Sequence, residues 1–417
     1  MFDAVAIWFI AVLAILGVLW RPGGIREVWW AATGALVLIA SRLLPLADAG
    51  RAAWSGKEVY LFLTGMMLLA EMAKREGLFD WIAASAARAS QGSPRRLFLL
   101  VYLAGVLVTA LLSNDATAVV LTPAVLAVVR RAKARPMPYL YICAFVANAA
   151  GFLLPISNPA NLVVFGDHLP PLPQWMHWFL LPAILALVVT FIMLRLIWRN
   201  ELHEPLAPLI ESPKLSRAGV VTACGLLLSI AGLLTASAFE VPLGGPTCAA
   251  AFLVLLIVTM MTSVKESRAT LAAVSWGILP LVAALFAIVE TVKSAGALHL
   301  TASAFSRLAT LPEPLATLAA AWGTAVVANI VNNLPAGLIG AAGLHAAGAS
   351  TTLDRAVLIG IDLGPSIAIT GSLSTILWLT ALRKEDIDVT GATFSRIGLL
   401  VILPALTLST LALLLTR

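Results

Sequence analysis

Apolar stretches of about 20 residues, the length a helix needs to cross a hydrocarbon core, follow one another along almost all of this 417-residue chain. Only 12% of its residues are charged, about half of what a soluble domain carries. The stretches are continuous and rich in Leu and Ala, unlike the alternating ten-residue strands of an outer-membrane barrel. The longest polar segment, between Arg199 and Arg217, is too short to be a domain. An all-α polytopic membrane protein with no soluble catalytic module is therefore expected, held in the lipid bilayer of a cytoplasmic membrane.

Ten full spans are expected near 4–20, 27–46, 58–74, 139–166, 173–198, 217–235, 244–262, 272–291, 353–380 and 396–416. Two further apolar segments, 97–130 and 315–346, are each too long for one span and too short for two. Each carries polar residues and a helix breaker at its centre, which reads as a re-entrant hairpin whose irregular tip is buried in protein. With both hairpins returning to the side they enter and both termini outside, twenty Lys and Arg face the cytoplasm and seven face outward, accounting for all 27. Basic loops mark the cytoplasmic side, so the net charge of +6 reports topology and implies no nucleic-acid partner.

Within this frame the polar interruptions stand out. Leu111-Leu112-Ser113-Asn114-Asp115-Ala116-Thr117 and Leu154-Pro155-Ile156-Ser157-Asn158-Pro159-Ala160-Asn161 have counterparts in the second half, around Asn332-Asn333 and Gly371 to Thr375. Glu71 to Gly77 and Glu290 to Gly296 add a third match, with Glu, Lys and Gly in common. Three matches in order at nearly constant separation point to two repeats, 1–198 and 217–417, joined by a cytoplasmic linker at 199–216. Each half holds an odd number of full spans, so the second must enter the membrane upside down. Inverted repeats with paired broken helices, here 139–166 and 353–380, are the mark of a secondary transporter whose substrate site lies at the breaks.

A broken helix exposes N–H groups at one new end and carbonyls at the other, offering donors, acceptors and dipoles at mid-membrane. The expected substrate-binding residues are Ser113, Asn114, Asn148, Ser157, Asn158, Asn161, Asn332, Asn333, Ser366, Thr370, Ser372 and Ser374. Asp115 and Asp362 are ionisable groups placed where ionisation is costly, which makes them candidates to take up and release a proton; the alternative is a carboxylate capping a half-helix. Glu71 and Glu290 each precede a Lys by three residues and read as local ion pairs.

Other chemistry is absent from the pattern. Cys143, Cys224 and Cys248 are far apart with neither CxxC nor Cys/His spacing, and the five His are scattered, so no metal site, disulfide framework or cofactor is expected. Gly340-Ala341-Ala342-Gly343 lacks the Lys-Ser/Thr of a phosphate loop. Nothing indicates ATP hydrolysis or an enzyme. Trp20, Trp29, Trp30, Trp175 and Trp178 fall near span ends, as interface anchors do. The first span follows Met1-Phe2-Asp3 without a basic leader and is expected to be retained.

At Leu112 to Pro123, Ala147-Asn148 through Leu162, Asn329 to Gly337, and Asp362-Leu363-Gly364-Pro365-Ser366 through Leu373, the chain resembles the ArsB family of arsenite and antimonite efflux permeases. That family belongs to the ion-transporter superfamily, and the resemblance covers essentially the full length. It implies export of trivalent arsenic and antimony from the bacterial cytoplasm, driven by the membrane electrochemical gradient, in some systems with a cytoplasmic arsenical-pump ATPase attached; because arsenous acid is mostly neutral, exchange for protons carried by Asp115 and Asp362 is expected. A sodium/proton antiporter on the same fold is the rival reading. A dicarboxylate carrier fits less well, since no Arg or Lys falls at any break in the sequence.

Overall fold

The computed structural model describes residues 2–166, 169–207, 214–348 and 350–416, which form helices, turns and no strands. In the first half the helices are α1 (Phe2–Trp20), α2 (Glu27–Ala40), α3 (Leu46–Ser55), α4 (Lys57–Arg75), α5 (Leu78–Ala89), α6 (Pro94–Leu111), α7 (Asn114–Ala116), α8 (Thr122–Arg131), α9 (Met137–Ala149), α10 (Pro159–Phe165) and α11 (Leu172–Ile197). In the second they are α12 (Arg217–Ala238), α13 (Gly244–Met261), α14 (Val264–Ala273), α15 (Ile278–Val292), α16 (Leu298–Leu308), α17 (Glu313–Val331), α18 (Asn333–Ala347), α19 (Thr351–Leu363), α20 (Leu373–Arg383) and α21 (Gly391–Ala412). A π turn at Thr117–Leu121 joins α7 to α8 as one hairpin arm. With that arm counted once, the two halves present the same elements in the same order.

Eight apolar stretches among the described residues are long enough to cross a membrane, and α2, α9 and α20 are shorter apolar helices. Two helices turn back on themselves and two others are interrupted. α6 turns back at Leu112-Ser113 into α7, and α17 turns back at Asn332 into α18. α9 and α10 are separated by irregular chain from Ala150 to Asn158; α19 and α20 are separated by two 3₁₀ turns, Gly364–Ile367 and Ile369–Gly371.

Packing crosses between the halves. α13 lies along α4, α2 lies along α15, and α11 packs against α21. Small residues permit the closest approaches. A Cβ on Gly360 would overlap the backbone of Ala321 and the side chain of Thr324, so this glycine sets the distance between α19 and α17. Gly65 plays the same part between α4 and Thr247 of α13.

Two sequence expectations change in detail. Trp175 is not an interface anchor: it is fully buried, and its Nε1 donates to the carbonyl of Phe152 at 3.1 Å, holding α11 against the first break. The repeat register at the hairpin tips also shifts by one residue. Ser113 and Asn332 are the capping residues, so Asn114 is equivalent to Asn333 and Asp115 to Leu334. This register has the same separation as Glu71 and Glu290. Those two glutamates pair locally, Glu71 with Lys74 at 3.1 Å and Glu290 with Lys293 at 3.3 Å.

Candidate functional site

The first hairpin tip and first break are built as one unit. Ser113 has extended backbone, and its Oγ accepts the N–H of Ala116 at 3.1 Å, satisfying one of the donors that a new helix start leaves free. The Asn114 N–H donates to the carbonyl of Ser157 at 3.1 Å, and the Ser157 hydroxyl donates to the carbonyl of Ala110 at 3.0 Å. Thus the hairpin stops at the break instead of crossing. Asn161 crosses the irregular loop from below, its Nδ2 reaching the carbonyls of Gly151, Leu154 and Pro155 at 2.9 to 3.3 Å.

Asn329 does the corresponding work in the second half. Its Nδ2 donates to the carbonyl of Gly364 at 2.8 Å, its Oδ1 accepts the Ala368 N–H at 2.7 Å, and its carbonyl accepts from Thr370 at 3.0 Å. Asn332, at φ 78, donates from Nδ2 to the carbonyl of Thr370 at 3.3 Å.

Side chains then tie the two halves together. Asn158 caps α10 by accepting the Ala160 N–H at 3.0 Å, and its Nδ2 donates to Asp362 Oδ1 at 2.8 Å. Asn148 Nδ2 reaches Ser366 Oγ at 3.0 Å. Ser374 donates to Asp115 Oδ1 at 2.6 Å. Gly151 leaves room for this clasp, since a Cβ there would lie only 3.1 Å from Asp362 Oδ2 and 3.2 Å from Asn158 Nδ2.

At the meeting point is a cavity of about 20 Å³, room for roughly one water molecule. Its polar lining comes from all four interruptions: Asn114, Asp115, Asn158, Asn333, Ser372 and Ser374. The first residues of α7, α10, α18 and α20 all border it, so four helix N-termini, each carrying partial positive charge, face one small space. Among the described residues that line it, Asp115 is the only ionisable one. Ser372 adds a buried hydroxyl with no hydrogen-bond partner among the described residues.

The remaining expected site residues stand one layer back. Ser113, Ser157, Asn148, Asn161, Ser366 and Thr370 hold the loops in the bonds just described. Asn332 borders a neighbouring cavity. Asp362 is fully buried behind Asn158, with Oδ2 lacking a hydrogen-bond partner among the described residues. The two aspartates, alike in the sequence, therefore differ: Asp115 borders the cavity and Asp362 is sealed beneath it. Sequence reasoning missed Gly151, which carries no polar signal, and the apolar walls Leu63 and Val282. The three cysteines border none of this space.

Paired hairpins and broken helices, converging on one small cavity with polar residues from all four interruptions in an apolar bundle, define the class as a membrane transporter of the ion-transporter type. The sequence profile of the CitMHS family, described as citrate transporter, matches residues 2–361, and the chain belongs to that family. Among its relatives is an arsenical pump membrane protein of Escherichia coli, 28% identical over 97% of both chains. Another, of Yersinia enterocolitica, is 27% identical over 97% of both. The resemblance to the ArsB permeases is thereby upheld over the full length. The solved YdaH transporter of Alcanivorax borkumensis shares the fold, with a TM-score of 0.59, 17% identity, and coverage of 92% of this chain and 97% of that one.

Proposed function

We propose that the protein exports trivalent arsenic and antimony hydroxides from the bacterial cytoplasm across the inner membrane, in exchange for protons. The observation that carries this reading is the central lining: amides, hydroxyls and four helix N-termini around a single carboxyl. Arsenous acid is a small, mostly neutral trihydroxide. Its oxygens can accept from the side-chain amides of Asn114 and Asn333 while its hydroxyls donate to Asp115 and the Asn333 amide oxygen, replacing hydration without a counter-ion. A sodium ion needs a shell of inward-facing oxygens, and four positive helix ends oppose it.

Export of a neutral solute against its gradient requires a charge to move inward, and each proton crossing 100 mV supplies about 2.3 kcal/mol. Asp115 is the proton carrier in contact with the substrate, and Asp362, clasped by Asn158, is the second. The two halves act as inverted repeats, with both termini outside. The substrate contacts are the cavity residues, supported by the Asn, Ser and Thr layer behind them. A cytoplasmic arsenical-pump ATPase is a partner consistent with this family resemblance.

The test is arsenite accumulation in everted membrane vesicles with an imposed proton gradient and a sodium-gradient control. Asp115→Asn and Asp362→Asn keep side-chain size but cannot titrate, so binding should persist while gradient-driven accumulation is lost. Full accumulation by both variants, alone and combined, with unchanged pH dependence would remove the aspartates from the mechanism. Accumulation driven by sodium alone would replace it with the antiporter reading.

A further inference from the structure

At the end of the bundle that the proposed orientation places outside, the turn between α12 and α13 meets the start of α4 and the end of α10 around a cavity of about 120 Å³. That is room for several water molecules. Its polar lining comes from both halves of the chain, Glu58 from the first and Ser237 and Glu240 from the second. None of the described residues that line it is basic. Glu58 and Glu240 stand in different repeats, so the sequence gives no signal that they share a cavity.

Each polar group there has bonding capacity to spare. Glu58 Oε2 accepts the Gly244 N–H at the start of α13 at 2.9 Å, and Oε1 has no partner among the described residues. Glu240 sits in the turn with a left-handed backbone, φ 59, its N–H donating to the Ser237 carbonyl at 3.3 Å. Its carboxylate forms no ion pair among the described residues. Ser237 is 3% exposed, and its hydroxyl has no hydrogen-bond partner among the described residues, although buried hydroxyls are ordinarily bonded. Ser237 also belongs to the last turn of α12, where the free carbonyls of a helix end carry partial negative charge. Two carboxylates, an unmet hydroxyl and a helix end thus surround one small space with no positive charge in its lining.

We propose that this cavity binds a hard divalent cation of the calcium class, held by the Glu58 and Glu240 carboxylates and the Ser237 hydroxyl, with water completing the shell. Calcium takes about six to eight oxygen ligands in adaptable geometry, carboxylates and water among them. Softer metals prefer nitrogen and sulfur, and no His or Cys is among the described residues of the lining. A monovalent ion would leave one carboxylate unbalanced. The bound ion ties α4 of the first half to the α12–α13 turn of the second. This cavity shares no lining residue with the central one, so the proposal is separate from the transport reading above and survives its failure.

The test uses purified full-length protein in detergent, stripped with chelator, exchanged into chelator-free buffer and titrated with calcium chloride while the thermal unfolding midpoint is followed. Sodium chloride at matched ionic strength is the control. The expected result is a saturable rise in the midpoint, half complete at about 0.1–1 mM, the range of extracellular calcium modules. Glu240→Gln, at an exposed position, should raise the half-saturating concentration by about tenfold or more, because affinity follows the number of charged ligands. Glu58→Gln keeps an acceptor for the Gly244 N–H, removes the charge and should do the same. Glu266→Gln alters an exposed carboxylate of α14 outside the cavity and should leave the response unchanged. No saturable rise beyond that with sodium chloride, an unchanged half-saturation in Glu240→Gln, or an equal weakening in Glu266→Gln overturns the proposal. Should Glu58→Gln elute as aggregate, monodisperse Glu240→Gln decides alone.

Discussion

Replacing Asn158 by Ala should destabilise the protein, because this one side chain serves both halves. Its Oδ1 caps α10 through the Ala160 N–H, and its Nδ2 is the donor to Asp362 Oδ1. Loss of a cap costs about 1 kcal/mol. Loss of the donor leaves Asp362, whose Oδ2 is already unpartnered, with no hydrogen bond on either oxygen in a fully buried position, at about 1–3 kcal/mol. The expected total is about 2–4 kcal/mol. Asp362→Ala removes only the acceptor and strands Asn158 Nδ2, for about 1–3 kcal/mol. The double variant strands neither group, so it should be less destabilised than the two single costs together, by about 0.5–3 kcal/mol of coupling. The assay is the midpoint of sodium dodecyl sulfate unfolding in mixed micelles, measured for all four proteins under one condition. Costs that add to within about 0.5 kcal/mol would show that the clasp between the halves contributes nothing to stability.

Three further outcomes test other parts of the structure. Changing Cys143, Cys224 and Cys248 together to Ser should leave arsenite accumulation in everted vesicles largely intact, because none borders the central cavity; loss of transport at normal membrane abundance would bring a thiol into the site. Gly360→Ala should cost about 1–3 kcal/mol by overpacking, because its Cβ would overlap Ala321 and Thr324 across the α19 and α17 contact; an unchanged unfolding midpoint would refute that packing. Cysteine introduced at Ala134 should resist an impermeant thiol reagent in intact cells, while sites in the exposed turn from Phe239 to Pro242 should react; strong labelling at Ala134 would overturn the proposed orientation and its positive-inside basis.

Much of the architecture was legible because lipid imposes a simple code. A backbone in hydrocarbon must bond to itself, so span length and apolar content reveal the helices, and a Pro, Asn or Ser cluster inside a span reveals a break. Ser113, Asn158 and Asn332 carry local signals, since capping depends on neighbours a few residues away in sequence. Those signals mark the two tips and the first break, but which residue caps each tip, Ser113 and Asn332, is shown by the structure. Which polar residues share a cavity is decided by contacts between distant segments. Asp115 and Asp362 look alike in the chain, yet Ser374 meets one beside the cavity and Asn158 covers the other. Arg21 reads as a loop charge, and only the fold shows that its Nη2 is paired with Glu27 Oε2 at 3.1 Å. Gly151 has no chemistry of its own, and its role exists only because two side chains from different halves close over it. Membrane insertion and helix capping are governed by composition and local spacing, whereas the burial and pairing of each polar atom depend on which helices meet.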